Sequence, residues 1–340
     1  MKAIAPGKLI ISGEHSVIYG MPAIAMAVKR QACATLGSPL KISPRQILFK
    51  LMSYGKTQSA TIRELRNIRD KLVRKHGQFL KGEISFKEVV SRPFDLFNYV
   101  VVRLIDSFEI KLRKGLNICL DSDIPIGCGM GSSAATLLSL LRLLAHQFSL
   151  EQQFHKFVEL GIEAERFQHL RSSGLDLHTS LNGGSICFER GSIRSQLPVI
   201  NKHAYSIHTG IPESTTGECV LYAAESFKQS QHLAKDFGSV TESVASSMER
   251  NDFAGLQMLV RENHRLLNRI GVVPNKVRRF ISEIEAQGGA AKICGAGSVR
   301  GAGGGIVLAL TEEPLESLCQ SYGYTCEPLQ GDPLGVRMQN

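Results

Sequence analysis

An α+β fold in two domains is what this sequence predicts, and three observations carry the prediction. The chain has 340 residues, 43% of them hydrophobic, enough to bury a sizeable core and to divide once. Segments that read as strands and segments that read as helices are mixed along it, without the regular alternation of a doubly wound sheet. Glycine-rich segments follow strands twice, at 127–131 and 295–305, where backbone N–H groups can converge on one point.

The elements follow in order. The opening MKAIAPGKLIISGEHSVIYGMPAIAMAV reads as a strand, a turn around 13–20, and a second strand rich in Ala, Ile and Val. Residues 60–76 and 86–107 predict helices, and GLNICLDSDI predicts a strand. Residues 132–148 predict a helix with Ser132 or Ser133 as its N-cap, and 151–169 predict another. SGLDLHTSLNGGSICFERG gives a turn, a short helix and a glycine-flanked strand. A second unit starts near Ser195. It has strands in AYSIHTG, AAKICGAG and GIVLAL, and helices over 216–232, 236–250, 252–268 and 274–286, before a last helix and a short tail. The boundary falls within 180–200, giving an N-terminal domain of 1–190 and a C-terminal domain of 191–340.

Composition narrows the function classes. No apolar run reaches the roughly 18 residues of a membrane span; FNYVVVRLI and ATLLSLLRLLA are both cut by Arg. Pro6, Gly7, Lys8, Glu14 and His15 interrupt any apolar signal segment, so the cytoplasm is the expected compartment. The eight cysteines have no C-x-x-C spacing and read as free thiols. The net charge of +9 raises nucleic acid, an anionic membrane and small anionic substrates as partners. The basic residues are spread, however. Their densest cluster, RELRNIRDKLVRKHG, alternates with acids at helical spacing and reads as a solvated helix face. Small anions are left as the expected partners, with no nucleic acid and no membrane.

Four stretches carry chemistry. In SDIPIGCGMGSSAATLL, glycines at 127, 129 and 131 precede a helix whose free N–H groups and positive dipole end suit a phosphate. Ser132 and Ser133 can cap that helix, donate to phosphate, or hold Mg²⁺ or its water; a plain glycine turn with a serine cap also fits. The segment is no Walker A loop, because Gly-Lys-Ser/Thr does not occur. In APGKLIISGEHSVIYG, Lys8 either snorkels to solvent or meets an anion, and Glu14-His15 occupies a glycine-bounded turn. In EAERFQHLRSSGLDLHTSLNGG, Glu163 and Glu165 lie on a helix; Asp176 is either an N-cap or a buried carboxylate poised to take a proton. KICGAGSVRGAGGG is a second anion nest or a flexible hairpin.

Together, in this order, the four stretches resemble the motifs of the GHMP kinase superfamily, which phosphorylates galactose, homoserine, mevalonate and phosphomevalonate. The resemblance runs from residue 3 to about 310. It implies a ribosomal protein S5 domain 2-like N-terminal domain and a ferredoxin-like C-terminal domain. Gly-Glu-His-Ser-Val-Ile-Tyr, in place of the galactokinase Gly-Glu-His-Thr-Asp-Tyr, points away from sugars; the resemblance is greatest to the mevalonate branch, which implies ATP-dependent phosphorylation of the 5-hydroxyl of mevalonate. The resemblance assigns Ser122 and the loop Gly127, Cys128, Gly129, Met130, Gly131, Ser132 and Ser133 to ATP. It assigns Ser133 and Glu165 to Mg²⁺. Asp176 becomes the base or nucleophile-orienting group, with Lys8 beside it. Glu14, His15, Thr215, Gly295, Ala296 and Gly297 are placed at the substrate. A homodimer is the family's common assembly. Phosphomevalonate kinase, another kinase of the superfamily, and a catalytically silent ligand sensor are the alternatives; the joint presence of Lys8, Ser133, Glu165 and Asp176 argues against the sensor. In one respect the chain departs from the family. Ser298, Val299 and Arg300 interrupt the third glycine motif, so Arg300 either reaches a phosphate or caps an extended hairpin.

Overall fold

The computed structural model describes residues 1–38, 45–85, 88–90, 92–168, 173–230 and 232–339. Among these residues the strands form one sheet of eight and one of four. The larger sheet is built on the long antiparallel pair β1 (Lys2–Ser12) and β2 (Ala23–Leu36). Beside β2 lies β5 (Leu116–Ser122), which pairs in parallel with β3 (Gln46–Leu51), and β4 (Lys56–Thr61) forms the edge. The hairpin β6–β7 (Ser185–Glu189, Ser192–Leu197) joins β2 on its other side. The smaller sheet is antiparallel, in the order β11 (Thr325–Pro328), β8 (Ala204–His208), β10 (Ile306–Leu310), β9 (Ala290–Cys294).

Most predicted elements are present with shifted ends. Helix α1 covers Ile62–Leu80, opened by a capping box between Thr61 and Glu64. The predicted 86–107 helix is shorter. Its helical part, α2, is Asp95–Ser107, because Pro93 constrains the backbone just ahead of it; residues 86, 87 and 91 lie outside the described residues. Residues 151–153 form a single 3-10 turn, and α4 runs Phe154–Gln168; residue 169, the predicted end, is not among those described. The hairpin β3–β4 escaped prediction, since KTQSAT carries no apolar alternation to announce an edge strand.

The site depends on α3 (Ser132–Gln147). Its leucines at 137, 138, 140, 141, 143 and 144 are all buried, so the helix is enclosed rather than one-sided. Each such side chain contributes roughly 1.5–3 kcal/mol by leaving water. α3 packs on β1 and β2 below, with α4 and α5 (Leu175–Asn182) alongside. The result is a rigid post whose N-terminus faces a cleft.

The second half supplies α6 (Thr216–Gln229), α7 (Leu233–Glu249), α8 (Phe253–Arg269), α9 (Asn275–Ala286) and α10 (Glu316–Tyr322). Every residue of β9 and β10 is buried, which suits the unbroken apolar run of β10 and leaves Lys292 as the one charged residue of β9. The period of two sorts their side chains. Ala290 and Cys294, with Ile306, Leu308 and Leu310, join the core of the larger sheet; Ala291, Ile293, Val307 and Ala309 join the core under α6 and α9. The chain then returns, and β12 (Arg337–Gln339) pairs with β1. Division at 190/191 into two domains is a proposal about folding units, with β7 and β12 both contributed to the larger sheet from beyond it.

Candidate active site

A cleft of about 390 Å³ opens where β1, the N-terminus of α3, α5 and the 295–296 backbone meet. Lys8 stands at its floor. The Lys8 backbone N–H donates to the Met130 carbonyl at 2.9 Å, and its ammonium donates to the Gly129 carbonyl at 2.9 Å. The same ammonium lies 3.2 Å from Asp176 Oδ1, with Lys8 buried and Asp176 partly exposed to the cleft. The lysine therefore meets an anion; it does not snorkel.

The glycine loop is shaped by what it touches. Gly127, Gly129 and Gly131 all have positive φ, 73°, 86° and 70°. A Cβ at Gly129 would sit 2.6 Å from the Cys294 carbonyl oxygen, and one at Gly131 would sit 2.9 Å from Lys8 Cγ. Only glycine accepts both the conformation and the contact. Gly131, in the left-handed region, is itself the N-cap of α3, and no side chain caps the helix. This corrects the expectation of a serine cap: Ser132 and Ser133 occupy the first helical turn and line the cleft. Gly127, Gly129, Met130 and Ser122 line it too, the Ser122 hydroxyl also accepting from the Ile124 N–H at 3.1 Å. Cys128 points elsewhere. Its thiol lies 3.1 Å from His208 Nε2, and it faces an adjoining pocket.

Asp176 is held from below. The N-cap of α5 is Gly174, with φ 84°, so Asp176 is a first-turn residue and not the cap. Ser180, one turn on and on the same face, donates to the Pro6 carbonyl at 2.7 Å and ties α5 to β1. The N-terminus of α5 and the Lys8 ammonium both present positive charge to Asp176. The two glutamates of α4 separate, since residues two apart on a helix face different ways. Glu163 accepts from Tyr99 Oη at 2.6 Å and pairs with Arg103; Glu165 is buried and lines the cleft. Residues 169–172, between α4 and Ser173, lie outside the described residues.

The opposite wall is the 13–20 turn. His15 has φ 60°, a strained value for a residue with a Cβ. Its Nε2 lies 3.1 Å from the Ala296 carbonyl and must donate to it; Nδ1 is buried with no protein partner. Burial pushes the imidazole down to about pKa 4, against the pull of the Ala296 carbonyl, and the nearby Lys292 charge adds to the depression. Glu14 is buried against Lys292 of β9, which its Oε1 contacts, while Oε2 has no partner. Burial raises the Glu14 pKa, and Lys292 works against that rise.

Gly295 and Ala296 line the cleft, whereas Gly297 lines the adjoining pocket with its φ at 72° and Val272 O at its back. Thr215 is there as well. Its hydroxyl caps α6 reciprocally with Glu218, and the neighbouring Thr216 is the residue that reaches the main cleft. The Thr-x-x-Glu spacing was the sequence signal for that cap. Arg300 pairs with Glu218 at 3.0 Å on an exposed face and does not line the cleft. Sequence reasoning missed Lys292, Thr216, and Tyr54 and Arg92 at the outer cleft. A lone lysine inside the apolar strand AAKIC was the available signal for the first.

Comparison with known proteins bears on this geometry. The model of the GHMP kinases N terminal domain matches residues 97–184, a span holding the glycine loop, Glu165 and Asp176. Over that span the chain is similar to the GHMP kinases. A mevalonate kinase of Thermococcus sibiricus is 29% identical over 92% of this chain and 89% of its own length. That of Pyrococcus furiosus is 28% identical over 91% and 88%. The crystal structure of the Methanococcus jannaschii mevalonate kinase superposes with a TM-score of 0.75 at 21% identity, covering 100% of this chain and 98% of that one. The fold is thus the GHMP kinase fold, and GHMP kinases use ATP.

Proposed function

We propose that this protein phosphorylates the 5-hydroxyl of mevalonate at the expense of ATP, giving 5-phosphomevalonate and ADP. The observation that carries the chemistry is the Lys8–Asp176 contact beside the N-terminus of α3. What supports the substrate is the similarity to mevalonate kinases along nine-tenths of the chain.

Phosphoryl transfer is mainly positioning and charge neutralisation. The loop 127–133 and the free N–H groups of α3 suit the ATP phosphates. Asp176 accepts the hydroxyl proton as the substrate oxygen bonds to the γ-phosphorus and the bond to the β,γ-bridging oxygen breaks. Lys8 pairs with the carboxylate and offsets charge on the transferring group. Ser133 and Glu165 put a hydroxyl and a carboxylate on the same cleft, an all-oxygen donor set that suits Mg²⁺. When bound, the ion would neutralise phosphate charge. On the far wall, neutral His15 and the free Glu14 oxygen offer polar contacts to the substrate. Gly295 and Ala296 add backbone. A cytoplasmic enzyme, dimeric in solution, completes the proposal.

ADP release measured with mevalonate, phosphomevalonate, galactose and homoserine tests it. Turnover of mevalonate far above the other three is expected. Turnover of none, or preference for another, would overturn it.

A further inference from the structure

Lys292 is fully buried, yet it does not face the cleft. Strand alternation places it on the side of Ala290 and Cys294, which pack toward the larger sheet. From there its ammonium contacts Glu14 Oε1 and donates to the Ile10 carbonyl at 3.3 Å. Partner and lysine are 278 residues apart, Glu14 in the turn that follows β1 and Lys292 on β9 of the smaller sheet. A charge so enclosed is strongly unfavourable unless paired, so the pair admits little freedom in where Glu14 sits. Glu14 immediately precedes His15, the residue with the strained left-handed backbone. His15 in turn is tied to Ala296, four residues beyond Lys292 on the same chain segment. Two successive residues of the turn are therefore gripped by two points of one segment, 292 and 296. The unpartnered atoms, Glu14 Oε2 and His15 Nδ1, belong to the two gripped side chains.

We propose that Lys292 is a positioning residue: through Glu14 it sets the turn that presents His15 and the free Glu14 oxygen to the phosphoryl acceptor. The inference rests on the kinase reading above. It gives the second sheet a direct part in acceptor recognition, while the phosphate loop and Lys8 remain anchored to β1. A purely structural pair would affect stability and leave the two Michaelis constants in proportion. A positioning pair would act on the acceptor alone.

The wild-type enzyme is first assayed with mevalonate and ATP; absence of turnover there would fail the functional reading and not this inference. Lys292→Met is then expected to raise the KM for mevalonate about tenfold, with the KM for ATP within about twofold. It is also expected to lower the Tm by roughly 10 °C, because Glu14 is left buried without its partner. The double variant Glu14→Gln/Lys292→Met removes both charges and serves if the single variant does not fold. It is expected to recover most of the Tm and to keep the raised mevalonate KM. Lys292→Arg, which retains the charge, is expected to recover part of the KM. A mevalonate KM within about twofold of wild type in the double variant, or an equal rise in both constants, would overturn the proposal.

Discussion

Two lysine–carboxylate pairs meet one cleft, Lys8–Asp176 with both side chains lining it and Lys292–Glu14 through Glu14 alone, and they differ in exposure. In Lys8–Asp176 the side chains are 4% and 31% exposed; in Lys292–Glu14 they are 0% and 1%. The first pair is open at its acidic end, on a first-turn helical residue that faces the cleft. A carboxylate so placed can exchange a proton with a bound hydroxyl. The second pair is sealed, with one carboxylate oxygen engaged and the other left over. Its charge cannot be relieved by water, so it fixes geometry instead. On the proposed reading the same chemical pairing serves reaction in one place and orientation in the other, and burial decides which.

The largest expected effect tests the open pair. Asp176→Asn keeps the shape and removes the proton acceptor; kcat should fall about 10³-fold while ATP binding, followed by calorimetry, changes little. A near-normal kcat would mean that Asp176 is not the acceptor.

A smaller effect tests the sealed wall through pH. His15 and His264 are both held near pKa 4 by burial, with Lys292 adding to each. Their folded pKa values lie below the unfolded 6.5, so the stability they confer is complete above pH 6.5. It is lost as the pH falls from 6.5 toward 4, by about 3 kcal/mol per histidine at most. Glu14 has a raised pKa and works in the opposite sense, its contribution being lost as the pH rises through the folded value. Urea midpoints between pH 7 and 4 should decline, and His264→Gln should remove about half of the decline. A flat profile would contradict the burial of these imidazoles.

The smallest effect distinguishes neighbours at the rim. Thr215→Ala removes the α6 cap and should cost about 1 kcal/mol of stability with little change in the mevalonate KM. Thr216→Val, at the residue lining the cleft, should raise that KM about threefold with less effect on stability. The reverse order would restore Thr215 as the substrate contact.

Much of the open pair's wall was legible in the sequence, because its chemistry is local. Alternating glycines before a helix mean positive φ and exposed N–H groups wherever the chain is packed, and the structure has both at 127–131. The serine cap was misjudged for a related reason: capping preference is a tendency, and the contact between Gly131 and Lys8 overrode it. A threonine before a helix can serve its own backbone or the cleft; Thr215 caps α6 with Glu218 and lines the adjoining pocket, while Thr216 lines the cleft.

By itself the sequence determined the α+β mixture, the strand–glycine–helix device, and the residue types needed to move a phosphoryl group. These follow from periodicity and backbone chemistry within a few residues. The tertiary structure alone decided that Lys8 meets Asp176, that Glu163 belongs to Tyr99 while Glu165 faces the cleft, and that Lys292 buries its charge against Glu14. Those outcomes depend on which distant side chains share a desolvated space, and no local pattern encodes that sharing.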